Sequence, residues 1–187
     1  MIDDIKQACK ILHSGGIILY PTDTIWGLGC DATNAEAVKK IYTIKKRTDS
    51  KAMLVLLDNP GKIQIYVKQM PDIAWDLIEL SEKPLTIIYP EAKNLATNLL
   101  AEDGSVGIRI TKETFSKKLC EYFKKPIVST SANISGKPAP SNFSEIPPEI
   151  KSVVDYTVFF RQNEKLKPNP SSIIKLGENG LIQIIRE

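Results

Sequence analysis

The sequence predicts an α/β (α+β) fold, a single domain spanning residues 1–187 in which helices pack on a twisted mixed sheet. Three observations carry that prediction. Short apolar runs rich in Ile, Val and Leu alternate along the chain with segments of helical period. Gly and Pro punctuate the junctions between them. Near the end, Asn179-Gly180 between two apolar runs signals a β-hairpin, adding an antiparallel pair to an otherwise alternating order.

Taken in order, Ile2, Ile5, Ala8, Cys9 and Leu12 recur at helical spacing, and Gly15-Gly16 stops that helix before an apolar strand from Ile17 to Tyr20. After the loop TDTIWGLGCDA, Thr33 and Glu36 have the spacing of a capping box for a helix with Val38, Ile41 and Ile44 on one face. Met53 to Leu57 reads as a buried strand, Pro71 to Leu80 as a helix with proline in its first turn, and Leu85 to Tyr89 as a strand. Ser105 to Ile110 is a strand entered through Gly104, Phe115 to Phe123 a helix, and Ile127-Val128 opens a strand leading into STSAN. The Pro- and Ser-rich stretch SGKPAPSNFSEIPPE reads as a loop beside the site, and Ser172–Leu176 pairs with Leu181–Ile185 across Asn179-Gly180.

With 187 residues, 42% apolar and 25% charged, the chain suits one compact core and leaves no room for a second domain. No apolar run approaches the roughly eighteen residues of a membrane span, and the start MIDDIKQACK carries acids and no signal-like stretch, so no membrane association and a cytoplasmic location are expected. Cys9, Cys30 and Cys120 are widely separated, show neither metal spacing nor C-x-x-C, and read as reduced packing residues; no metal site is expected. The net charge of +3 is too mild for a dedicated nucleic-acid binder and suits an anionic small molecule. His13, the single histidine, sits near the end of the first helix, too poorly placed to serve a Ser-His-Asp relay. Neither a phosphate-binding P-loop nor a G-x-G-x-x-G turn is present, so any ATP site must be built otherwise.

Four polar clusters follow or flank apolar strands: Pro21-Thr22-Asp23-Thr24, Lys45-Lys46-Arg47 with Lys51, Ser105 with Arg109, and Ser129 to Asn133. Strand ends are where α/β folds bind ligands. Each cluster has a structural reading beside the functional one. The basic run complements a helix dipole or neutralises a polyphosphate; Thr22 and Asp23 form a turn or line a site. Three hydroxyls and an Asn in five residues after a buried strand cap the chain locally or cradle phosphate and ribose oxygens. Tyr20 and Trp26 flank the first polar loop, where packing competes with walling a ligand pocket, and Trp75 reads as core.

Together YPTDTIWGLGCDA, the Lys45-x-Arg47 pair, SVGIR ending in Arg109, STSAN with Ser135-Gly136, and PSSI closely resemble the YrdC family of threonylcarbamoyl-AMP synthases, from about Gly15 to Arg186. The resemblance implies a YrdC-like domain with a concave basic active-site surface. It implies a nucleotidyltransferase that condenses L-threonine, bicarbonate and ATP into threonylcarbamoyl-adenylate and pyrophosphate, for modification of an adenosine beside the tRNA anticodon. Carried over by position, Lys45, Arg47, Ser131 and Asn133 form the catalytic set. Thr24, Arg109, Ser129 and Ser172, or Ser171 in its place, hold threonine. Arg47, Lys51, Ser105, Ser131, Ala139 and Arg186 hold ATP. ATP is a substrate, and Mg²⁺ is expected to arrive on its phosphates. Downstream tRNA-modifying proteins are the expected partners, with at most a weak direct tRNA contact.

Longer members of that family carry Asn-Pro and then a His after the Lys-x-Arg pair, where this chain has Lys51-Ala52 and then Leu56, so it resembles the shorter single-domain class. Two other readings compete: an RNA-binding module without catalysis, and an inactive paralogue that binds ATP. The first lacks an aromatic-interleaved basic stripe, and retention of Lys45, Arg47, Ser131 and Asn133 weighs against the second.

Overall fold

The computed structural model describes residues 1–47, 53–165, 170–177 and 181–187. Helix α1 (Ile2–His13) buries Ile5, Ala8 and Leu12 and ends at Ser14, after which Gly15 turns the chain with φ +73°, a conformation that costs a side-chain-bearing residue. Strand β1 (Ile18–Tyr20) is wholly buried and turns back through the 21–26 loop into β2 (Gly27–Gly29), a strand whose glycine content hid it in the sequence.

Helix α2 (Ala35–Lys45) is capped by Asn34, not by Thr33: the Asn34 carboxamide accepts from the Glu36 and Ala37 N–H groups at 3.0 and 3.1 Å. The expected Thr33–Glu36 capping box therefore does not form. Thr33 gives its N–H and hydroxyl to Asp31 at 2.8 and 2.6 Å, closing an Asx turn one residue earlier. Lys46 leaves the helix in the left-handed region, φ 49°.

Strand β3 (Leu54–Leu57) is followed by a 3₁₀ turn (Pro60–Lys62) and the short α3 (Ile63–Tyr66), which carry no strong period in the sequence. Helix α4 (Ile73–Leu80) starts two residues after Pro71, and its Trp75 is only half-buried, at the rim of the core. Strands β4 (Leu85–Tyr89) and β5 (Val106–Ile110), helix α5 (Thr114–Phe123) and strand β6 (Ile127–Ser131) fall where the periodicity puts them. The Pro/Ser-rich stretch is not all loop: it contains a 3₁₀ turn (Phe143–Glu145) and leads into α6 (Pro148–Lys151). A two-residue strand β7 (Tyr156–Thr157) follows, held by buried Asp4, which accepts from the Tyr156 hydroxyl at 2.7 Å and the Phe159 N–H at 2.9 Å. Strands β8 (Ser172–Leu176) and β9 (Ile182–Arg186) pair antiparallel as the hairpin signal requires, while Asn179 and Gly180 themselves lie outside the described residues.

The nine strands among the described residues join one sheet in the order β7-β1-β2-β6-β3-β5-β4-β8-β9, with parallel pairs β7·β1, β3·β5 and β4·β8 among antiparallel ones. The strand alternation then sorts residues between two faces. One cross-sheet row is Val128, Val55, Ile108, Ile87 and Ile174, all buried beneath a layer in which α5 packs on α1 and β3. Phe115, Leu119, Cys120 and Phe123 of α5 fill that layer. The neighbouring rows, Ser129-Leu54-Gly107-Ile88 and Leu56-Arg109-Thr86-Ile173, point the other way. Half of these eight residues are polar or glycine, against none in the first row, and that face carries the cavity.

Candidate active site

A cavity of about 400 Å³ opens on the second sheet face. Most of its wall follows the period-two rule: Gly27 of β2, Leu54 of β3, Thr86 and Ile88 of β4, Gly107 and Arg109 of β5, Ser129 and Ser131 of β6, and Ile173 of β8, with Thr130 of β6 the exception. Ser105, two residues before Gly107, and Ser171, two before Ile173, continue the same faces. A hydroxyl-rich floor is thus assembled from segments far apart in sequence. Its glycines are part of the shape: a Cβ on Gly107 would meet the Thr86 methyl at 3.3 Å, and one on Gly27 the Thr130 carbonyl at 3.1 Å.

Among the described residues, three arginines line this cavity, Arg47, Arg109 and Arg186, and no carboxylate does. Arg109 is 3% exposed and pairs with Asp23 across 3.1 Å. That contact is an ion pair without hydrogen-bond alignment, and the buried Arg109 Nε has no partner among the described residues. Burial pulls the Arg109 guanidinium below its ordinary range and pushes the Asp23 carboxyl above its own, each only partly offset by the other's charge. Arg186 reaches in from β9 and donates through Nε and Nη2 to the Ser171 carbonyl at 2.9 and 2.7 Å, which holds its guanidinium at the cavity mouth. Burial also lowers Arg47 from its ordinary range.

The hydroxyls are held in place. Thr22 accepts from the Thr24 N–H at 3.1 Å and donates to the Ile25 carbonyl at 2.7 Å, fixing the loop that brings Thr24 to the wall. Ser105 donates to Asp103 at 2.5 Å; that carboxyl is held down at about 2, first by its hydrogen bond from Lys175 and then by Ser105. Ser171 shares a 3.1 Å hydroxyl contact with Thr86. Trp26 is 5% exposed, tilts against Phe143 with centroids 4.8 Å apart, and still borders the cavity, so it both packs and walls the pocket; Tyr20 is core only.

Of the residues expected from sequence, the fold brings together Thr24, Arg47, Ser105, Arg109, Ser129, Ser131, Ala139 and Arg186 on one cavity wall. Ser172 is not on that wall; its neighbour Ser171 is, because alternation along β8 sends adjacent residues to opposite faces. Lys51 lies outside the described residues. Lys45 and Asn133 stand behind the wall, bonded to each other. Thr86, Thr130, Gly27 and Gly107 were missed, although the spacing Ser105-x-Gly107-x-Arg109 on one strand face was available to find Gly107.

The chain itself matches a known family. The model for Sua5, YciO and YrdC proteins, described as "Telomere recombination", covers residues 10–187. The chain belongs to the Sua5/YciO/YrdC family. Within it, the chain is similar to a threonylcarbamoyl-AMP synthase of Pseudoalteromonas translucida, 34% identical over 182 residues that make up 95% of each chain. Among solved structures of the family, the H234A/Y235A Sua5 of P. abyssi superposes with a TM-score of 0.88 at 25% identity, covering 97% of this chain and 55% of that one. The same protein complexed with L-threonine gives 0.86 at 24% identity, covering 97% and 53%, a likeness of fold. The chain thus spans about half the length of those Sua5 structures and nearly the full length of the curated relative.

Proposed function

We propose that this chain is an L-threonylcarbamoyladenylate synthase. It condenses L-threonine, bicarbonate and ATP into threonylcarbamoyl-AMP and pyrophosphate. The observation that carries the reading is the cavity itself: among the described residues, three arginines, no carboxylate and a floor of hydroxyls, in a chain 34% identical over 95% of its length to a protein named for this reaction. A volume of about 400 Å³ falls in the range of small-molecule sites, and its recessed shape suits a mononucleotide with an amino acid better than a length of RNA backbone.

The chemistry asks for little covalent help from side chains. The threonine amine condenses with bicarbonate to give a carbamate and water, and the carbamate carboxylate then attacks the α-phosphate and expels pyrophosphate. Positioning and charge stabilisation supply the rate. Arg47, Ser105, Ser131, Ala139 and Arg186 hold the nucleotide, with Arg47 and Arg186 as the cations that offset charge gathering on the phosphoryl oxygens. Thr24, Ser129, Ser171 and Arg109 hold threonine, with the Arg109 guanidinium as the cation for its carboxylate. The lining side chains suit phosphate and not a metal ion, so Mg²⁺ enters with ATP. The adenylate passes to tRNA-modifying partners. No helix among the described residues is long and apolar enough to cross a membrane.

Pyrophosphate release tests the reading: it should require ATP, threonine and bicarbonate together, with valine inactive and serine poor, since a site built around a hydroxyl rejects its absence strongly. Release that persists without threonine would overturn it.

A further inference from the structure

Lys45 occupies the last turn of α2, and its position in the family motif suggests a phosphate ligand. Its surroundings point elsewhere. The residue is 2% exposed and does not border the cavity. Its ammonium has three hydrogens and three good acceptors: the Ser131 carbonyl at 2.5 Å, the Asn133 carbonyl at 2.8 Å and the Asn133 side-chain oxygen at 3.2 Å. The Ser131 hydroxyl, at 3.5 Å, is a marginal fourth. The main chain of the same residue grips the far side of the turn, for the Lys45 carbonyl accepts from the Ser135 N–H at 2.9 Å. Asn133 completes the clasp. Its Oδ1 accepts from the Ser131 hydroxyl at 2.5 Å and its Nδ2 donates to the Lys137 carbonyl at 2.6 Å. Ser131 and Arg47, the immediate neighbours of this clasp, do border the cavity.

We infer that Lys45 and Asn133 are positioning residues: together they latch the 131–135 turn to the end of α2, so that Ser131 faces the cavity, and Lys45 does not itself bind phosphate. The inference rests on the reading of the cavity as an ATP site. A latch of this kind explains why a lysine is used. Three converging oxygens, two of them main-chain, need a three-hydrogen donor on a long stem, which neither an amide nor a hydroxyl supplies. The cost is a buried cation beside a second one; burial first, then the Arg47 charge, pushes Lys45 down to about 8.

A direct phosphate ligand and a latch differ in what they discriminate. Removing a phosphate-binding cation weakens ATP far more than AMP, because the extra charge lies in the β- and γ-phosphates. Removing a latch displaces a wall that both nucleotides touch. Dissociation constants for ATP and AMP should therefore be measured by titration calorimetry on the wild type, Lys45→Met, Asn133→Ala, the double variant, and Arg47→Ala as the comparator that borders the cavity. Lys45→Met and Asn133→Ala should each weaken ATP and AMP by the same factor, about tenfold, with the double variant no worse than the poorer single one. Arg47→Ala should penalise ATP selectively. A loss at Lys45→Met that is at least ten times greater for ATP than for AMP overturns the latch. Should Lys45→Met fail to fold, Asn133→Ala decides alone, since it keeps the lysine charge: an equal loss for the two nucleotides upholds the latch and no loss overturns it. A wild type that binds neither nucleotide removes the ATP reading and the latch with it.

Discussion

Replacing Asp23 with Asn removes one half of a buried ion pair while keeping its volume. Arg109 is 3% exposed, the Asp23 side chain 10%, and the closest atoms are 3.1 Å apart. At an effective dielectric constant of about 20, charges at that distance attract by about 5 kcal/mol, and desolvation of the two ions costs several kcal/mol each. The net worth of the pair is therefore small, which agrees with burial displacing both groups from their ordinary ionisation ranges. Loss of one partner is a different matter, because Arg109 stays charged in a site that no longer balances it. The expected cost is about 3–5 kcal/mol, a large share of the 5–15 kcal/mol typical of a folded domain. For a chain of this size that lowers Tm by between about 6 and about 20 °C. Urea unfolding followed by Trp26 and Trp75 fluorescence measures it. Threonine should then recover more stability in Asp23→Asn than in the wild type, because its carboxylate supplies the missing charge to Arg109. A loss below about 1 kcal/mol, or equal stabilisation of both proteins by threonine, would refute this account of the pair.

Gly107→Val should leave Tm within a few degrees, since a β-branched residue suits a strand and Thr86 need give only a few tenths of an ångström around the 3.3 Å contact. Its side chain fills the cavity floor, so pyrophosphate release should fall at least a hundredfold; full activity would mean that the cavity does not hold the substrates. Lys45 binds its proton less tightly folded, at about 8, than unfolded, at 10.5. Between those values the unfolded chain holds more protons, so stability rises with pH there, by up to about 3 kcal/mol. Lys45→Met should lack that rise when the two proteins are compared by urea unfolding at pH 7.5 and pH 10, and parallel curves would contradict it. Asn34→Ala should cost about 1 kcal/mol as a lost helix cap, more than Thr33→Val costs, as thermal unfolding will show; the reverse order would restore the Thr33 capping box.

The sequence by itself determined the class of the fold and most of its elements. Strong apolar periodicity in α1, β4, β5, α5 and β6 fixed their type because burial rewards one period at a time. It also supplied the ordered motifs that placed Thr24, Arg47, Ser105, Arg109, Ser129, Ser131 and Arg186 in one site, all of which line the cavity. What only the tertiary structure decided is whatever depends on a neighbour distant in sequence. The glycine strand β2 and the two-residue β7 exist because β1 and β6 offer them ladder partners, not because their own residues favour extension. Asn34 took the cap because Asp31 had already engaged Thr33. Alternation along β8 chose Ser171 over Ser172, and the strand order turned Thr86 and Gly107 toward Arg109. Lys45 and Arg47, two residues apart on one basic run, were parted by the helix end between them: the left-handed Lys46 sent one side chain into the STSAN turn and the other to the cavity wall. Motifs name the residues that meet at a site, but which of them face the ligand is fixed by the direction of each Cα–Cβ bond once the sheet is assembled.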